Sequence, residues 1–148
     1  MEAEQYEFLP FESLFYFEFY SDGPKGKIKK MVRFKLINIG GIDYYNLSFG
    51  DWDEDKKRID DLVVTNNNDT EKILTTVAAA VIIFIKRFPD YSVYAKGSTA
   101  ARTRFYRIVI TTNWEIIDPI LEVYGLINNK WEPFKKNVNY EAFFVKRK

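Results

Sequence analysis

In LFYFEFYSDGPKGKIKKMVRFKLI, residues 14–37, Phe15, Phe17 and Phe19 alternate with Tyr16, Glu18 and Tyr20. Beyond SDGPKG the alternation resumes, with Ile28, Val32, Phe34 and Leu36 set against Lys27, Lys29, Arg33 and Lys35. Period two on both sides of a Gly/Pro break predicts an antiparallel hairpin with one buried face. NIGGID is the next turn and YYNLSFGD the next strand, followed by a polar stretch, DWDEDKKRIDD, and a short apolar run, LVVTN.

NNNDTEKILTTVAAAVIIFIKRFPD changes the period. Asn68 or Asp69 can cap a helix there, Glu71 falls in its first turn, and Lys86 and Arg87 in its last, which suits the helix dipole. Pro89 stops it. From Val77 to Ile85 the segment is apolar on every side, so it should form a central, buried helix. YSVYAK reads as a strand.

From Thr99 to about Thr111 both periods can be laid over the chain. As a strand, each face mixes apolar and charged residues. As a helix, Ala101, Phe105, Ile108 and Val109 share one side, with Thr103, Arg104 and Arg107 opposite, so helix is favoured, with Ser98 as its N-cap. LEVYGLINNKWEPF predicts a hairpin turning at Asn128 and Asn129, and YEAFFVKRK a last strand from Tyr140. The expected architecture is one α+β domain over residues 1–148. It has a largely antiparallel sheet packed by a long buried helix and a second, shorter one.

Composition narrows the chemistry. Aromatics make up 18% of the 148 residues, and their alternating placement marks them first as sheet-packing residues. Cysteine and histidine are both absent. That excludes disulfides, thiolate metal sites, Ser-His-Asp triads, a histidine base and His-ligated zinc. A net charge of +1 provides no global field for nucleic acid or anionic membrane, so any attraction must be local. The acidic start, MEAEQYEFLP, lacks the basic and apolar regions of a signal peptide. The apolar run from Ile73 to Ile85 is shorter than the roughly 20 residues that cross a bilayer. No membrane partner is expected, and the default location is the cytoplasm.

KGSTAARTRFYR concentrates anion-binding groups where a strand should give way to a helix. The first-turn N–H groups would point outward at the positive end of the dipole, Gly97 would allow close approach, and Lys96 precedes it. Ser98 and Thr99 add hydroxyls. Arg102 and Arg104 offer forked guanidinium groups, and Tyr106 shares a stripe with Arg102. These positions form a candidate phosphate site whose ligand would be a nucleotide or nucleic acid. The competing reading is a structural cap, its arginines paired with the acids of residues 51–61. The spacing is not that of a P-loop, and no cofactor is called for.

Two weaker candidates complete the set. Lys25, Lys27, Lys29, Arg33 and Lys35, with Tyr16 and Tyr20 on the neighbouring strand, could hold single-stranded nucleic acid, although a solvated sheet face is also lysine-rich. Glu18 should pair with one of those lysines. The acids Asp51, Asp53, Glu54, Asp55, Asp60 and Asp61 lack the EF-hand pattern and read as a solvated loop rather than a metal site, with Trp52 folding back onto the core. Other readings are a histidine-free enzyme acting on RNA or a nucleotide, or a module with a protein partner. In the first, Arg102 or Arg104 would stabilise charge, and Tyr106 or a carboxylate would move a proton.

GPKGKI, YNLSFGD, TNNNDTEKIL running into TVAAAV, and above all KGSTAARTRFYR resemble a family of small bacterial proteins of unknown function, mostly from Bacteroidetes. The likeness spans about Phe17 to Phe144, with GST-x-ART-R-x-Y its most specific element. It brings no catalytic residue and no fold to carry over. It implies one complete domain and marks Gly97, Ser98, Thr99, Arg102, Thr103, Arg104 and Tyr106 as the positions to test.

Overall fold

A computed structural model describes residues 4–6, 9–11, 15–60 and 67–148. The first hairpin forms as its alternation requires. Strands β1 (Leu9–Phe11), β2 (Tyr16–Gly23), β3 (Gly26–Ile39) and β4 (Ile42–Asp53) pair antiparallel in sequence order. Register aligns Phe17 with Val32 and Val32 with Phe49, and all three are buried. The charged and tyrosine positions between them fall on the opposite face, as period two demands.

The polar stretch expected after β4 is itself a hairpin. β5 (Arg58–Asp60) folds back on β4, aligning Trp52 with Ile59. Asp53 Oδ1 accepts from the N–H groups of Asp55 and Lys56 at 3.0 and 3.1 Å, which ties the connecting turn. Asp51 stays on the inner side of the sheet because Lys30, only 4% exposed, pairs with it at 2.5 Å. The LVVTN run lies outside the described residues.

Helix α1 (Thr70–Arg87) buries Val77, Ala80, Phe84 and Ile85, while Ile83 remains exposed. Phe84 stacks on Phe34 at 4.1 Å between ring centroids, fixing the helix against β3. Asp69 occupies the N-cap position without capping. Its carboxylate instead accepts from the Tyr6 and Ser21 hydroxyls, both at 2.5 Å.

After α1 comes β6 (Val93–Ala95), parallel to β4, a pairing that needs the crossover α1 supplies. Then follow α2 (Ala100–Thr112), α3 (Trp114–Ile117), β7 (Leu121–Ile127), β8 (Lys130–Pro133) and β9 (Ala142–Arg147). The sheet order is β1-β2-β3-β4-β6-β9-β7-β8, with β5 off this path on β4. β7 and β8 turn at Asn128 and Asn129, both at positive φ (52° and 60°). The last strand begins at Ala142, not Tyr140. The Tyr140 ring instead lies over Gly125, where an added Cβ would come within 2.3 Å of it.

The result is a single α+β domain whose three helices all contribute to one core. Among the described residues, no helix is long and apolar enough to cross a membrane.

The second helix is present but rotated from the expected face. Its buried side comprises Arg102, Thr103, Tyr106, Val109 and Ile110, whereas Ala101 is exposed and Ile108 is 41% exposed. The expected face, Ala101, Phe105, Ile108 and Val109, leaves out amphipathic side chains. Arg102 and Tyr106 are both buried, and Arg102 satisfies its polar end at Phe49 O, so amphipathic side chains supply much of the inner face.

Candidate functional site

Strand β6 ends at Ala95, opposite Phe143 of the antiparallel β9. The chain leaving β6 and the segment entering β9 therefore meet at the same end of the sheet. Lys96 to Thr99 lead from that end into α2, and residues 134–141 return to it.

The cap of α2 is Thr99 rather than Ser98. Thr99 is extended (φ −134°, ψ 165°), and its Oγ1 accepts from Arg102 N–H at 3.2 Å. The donor lies three positions beyond the cap, the spacing an N-cap hydroxyl requires. Thr103 reinforces the start, its Oγ1 donating to Thr99 O at 3.2 Å and accepting from Gly97 N–H at 3.0 Å. Gly97 thus lies on the first helical turn. Packing requires glycine there, since a Cβ would sit 2.3 Å from Arg102 Cβ.

Arg102 and Tyr106 face the interior. Arg102, 7% exposed, donates from Nη2 to Phe49 O at 2.6 Å. Its guanidinium lies 5.9 Å from the Phe49 ring centroid and 5.4 Å from that of Phe105. Among the described residues, its acceptor is a backbone carbonyl and not one of the acids of positions 51–60. Tyr106, 4% exposed, belongs to the hydrophobic core. The seven candidate positions therefore divide. Lys96, Gly97, Ser98, Thr99 and Arg104 line one surface groove, and Arg102 and Tyr106 anchor the helix beneath it.

The groove has a volume of about 700 Å³ and is completed by Arg107 and the segment Asn139–Glu141. Arg107 is held in place by donating to Val138 O at 3.4 Å and to Asn139 Oδ1. The first turn of α2 carries no acid, and Ala100 and Ala101 are both exposed. Their N–H groups have no intrahelical acceptor. Lys96, Arg104 and Arg107 thus face a lining in which Glu141 is the acid. Arg107 could have been added from the sequence, since it lies three residues beyond Arg104 on the same helix side. Nothing local marks Asn139 or Glu141, which arrive through the β6–β9 pairing.

Of the other candidates, Lys27, Lys29, Arg33 and Lys35 do share a sheet face with Tyr16 and Tyr20, as their registers require. Lys25 sits apart in the turn, where its backbone N–H donates to Asn67 Oδ1 at 2.7 Å. Glu18 pairs with Lys29 at 3.2 Å. Trp52 does not fold onto the core. It lies on the outer face, with Lys29 Nζ 5.6 Å from its ring centroid, and donates from Nε1 to Glu54 at 2.7 Å. Lys57 and then Trp52, by hydrogen bonding to Glu54, hold its carboxyl below the usual carboxylate range. Among the described residues, no group of acids is placed to hold a metal ion.

A groove at a capped helix start, on a mixed sheet with one covered face, belongs to a chain that is a member of the DUF6934 family, a family of unknown function, whose model matches residues 2–148. No curated protein and no solved structure matches the chain.

Proposed function

We propose that the groove at the start of α2 binds a phosphate group carried by a nucleotide or nucleic acid. The supporting observation is convergence: Lys96, Arg104, Arg107 and the first turn of α2 open onto one concave surface of about 700 Å³. That volume falls within the usual range for small-ligand sites. In this reading the Ala100 and Ala101 N–H groups seat phosphate oxygens at the positive helix end, Arg104 adds a forked contact, and Lys96 adds a point charge. Arg107, braced by Asn139, closes the far side. Arg102 acts at one remove by tying the helix start to β4. A cytoplasmic setting, where such ligands are abundant, is part of the proposal.

Thermal stability against inorganic phosphate, sulfate, a nucleotide panel and short RNA tests it, with wild type compared to R104A/R107A. Ligand at a hundredfold excess over Kd contributes about 2.7 kcal/mol, which raises Tm by about 5–10 °C in a domain of this size. The expected result is such a rise for a phosphate-bearing ligand in wild type, lost in the double variant. No rise with phosphate, sulfate or any nucleotide, or an equal rise in both proteins with these ligands, would contradict the proposal.

A further inference from the structure

All three helices add side chains to a core on one side of the sheet, as the Phe34–Phe84 and Phe49–Phe105 ring contacts show. The opposite face carries no described helix. A solvated face of an antiparallel sheet is ordinarily polar. This one holds two groups of aromatic rings. Tyr16, Tyr20 and Trp52 lie on the β2–β4 wing, Tyr16 and Tyr20 being 36% and 46% exposed. Tyr94, Tyr124, Trp131 and Phe144 lie on the other wing. There Phe144 stacks on Tyr124 at 4.6 Å and meets Trp131 edge-on at 4.8 Å, while Tyr94 meets Trp131 at 6.2 Å. None of these rings belongs to the hydrophobic core.

Cations run through the aromatics. Lys27, Lys29, Arg33 and Lys35 occupy this face of β3, successive outward positions being about 7 Å apart. Lys146 Nζ lies 5.8 Å from the Tyr124 ring centroid. The face's acids are partly engaged, Glu18 by Lys29 and Glu122 by the Tyr124 hydroxyl. Arg33 stands mid-face, aligned with Tyr16 on one side and Ser48 on the other, and its buried Nε has no hydrogen-bond acceptor among the described residues. A row of cations flanked by aromatic rings is suited to a ligand that brings both phosphates and flat apolar surfaces.

We infer that this open face binds single-stranded nucleic acid, its phosphates tracking the β3 cations and its bases stacking on the flanking rings. A single strand fits better than a duplex because only unpaired bases can lie against aromatic side chains. The cations favour it over a neutral sugar polymer or a second copy of this chain, neither of which calls for a row of positive charge. The inference does not depend on the groove at α2.

Binding of a fluorescent oligouridylate, followed by anisotropy and by quenching of Trp52 and Trp131, provides the test. Four proteins are compared: wild type, Y16A/Y20A, K27A/K35A and R104A. Tyr16, Tyr20, Lys27 and Lys35 are exposed, and unchanged melting temperatures confirm folding. The expected result is tighter binding of the single strand than of the matching duplex, weakening as salt rises. Y16A/Y20A should weaken it by about tenfold or more and K27A/K35A should flatten the salt dependence, each by more than R104A, which reports only the groove at α2. Absence of binding, equal affinity for duplex, or loss only in R104A would overturn the inference. The last result would place the strand in the groove instead. Concentration-dependent self-association without oligonucleotide binding would overturn it in favour of a second copy.

Discussion

Gly97 carries no side chain because there is no room for one. A Cβ at that position would lie 2.3 Å from Arg102 Cβ and 2.5 Å from Thr103 N, atoms of a packed helical turn that cannot move aside. G97A should therefore cost about 1–3 kcal/mol in urea unfolding, the usual penalty for overpacking. An unchanged midpoint would show that the turn yields freely. The seven residues grouped by the sequence are neighbours along the chain, and that much was legible. Their division was not. Lys96, Ser98, Thr99 and Arg104 reach solvent, but Arg102 turns inward to Phe49 O. Residue type does not reveal this, because a guanidinium with a carbonyl acceptor and two aromatic rings beside it can be buried, and the same group with none cannot.

Elements followed the sequence where one periodicity dominated. The β2–β3 and β7–β8 hairpins were legible from alternation and turn residues, and α1 from its uninterrupted apolar run. The β7–β8 turn places both Asn128 and Asn129 at positive φ, the backbone of a type I′ turn. N129G should be neutral or stabilising, whereas N129V should cost about 1–2 kcal/mol in unfolding free energy, since a β-branched residue pays the full left-handed penalty. Equal stability of the two variants would contradict that geometry. Two elements depart from the hydrophobic pattern for related reasons. β5 hides in an acidic block because its partner strand buries Asp51 against Lys30, an ion pair no hydrophobic pattern records. Helix α2 was found but turned, since its cap at Thr99 and the Thr103–Gly97 bond set its rotation.

Across the whole molecule, tyrosines couple stability to alkaline pH. Tyr140, buried in the core, donates to Glu132 at 2.6 Å, and burial first, then that carboxylate, raises its pKa above 10.0. Burial likewise raises Tyr6 and Tyr94. The folded state thus favours the protonated forms. Their contribution is complete below about pH 10, the unfolded value, and is lost as pH rises through the folded pKa values. Melting temperature should fall across that range, less steeply in Y140F; a flat profile would contradict it. The α+β class was legible at this scale, but strand order was not, because β9 inserts between β6 and β7 through contacts distant in sequence. That insertion brings Asn139 and Glu141 to the start of α2 and makes the groove. The most direct test of the groove is amide chemical-shift mapping of the full chain, titrated with inorganic phosphate and then with a nucleotide. The account predicts that the largest, saturable shifts fall on Gly97, Ser98, Ala100 and Ala101, with side-chain changes at Arg104 and Arg107. Shifts absent from that turn, or scattered over the surface without saturation, would contradict it.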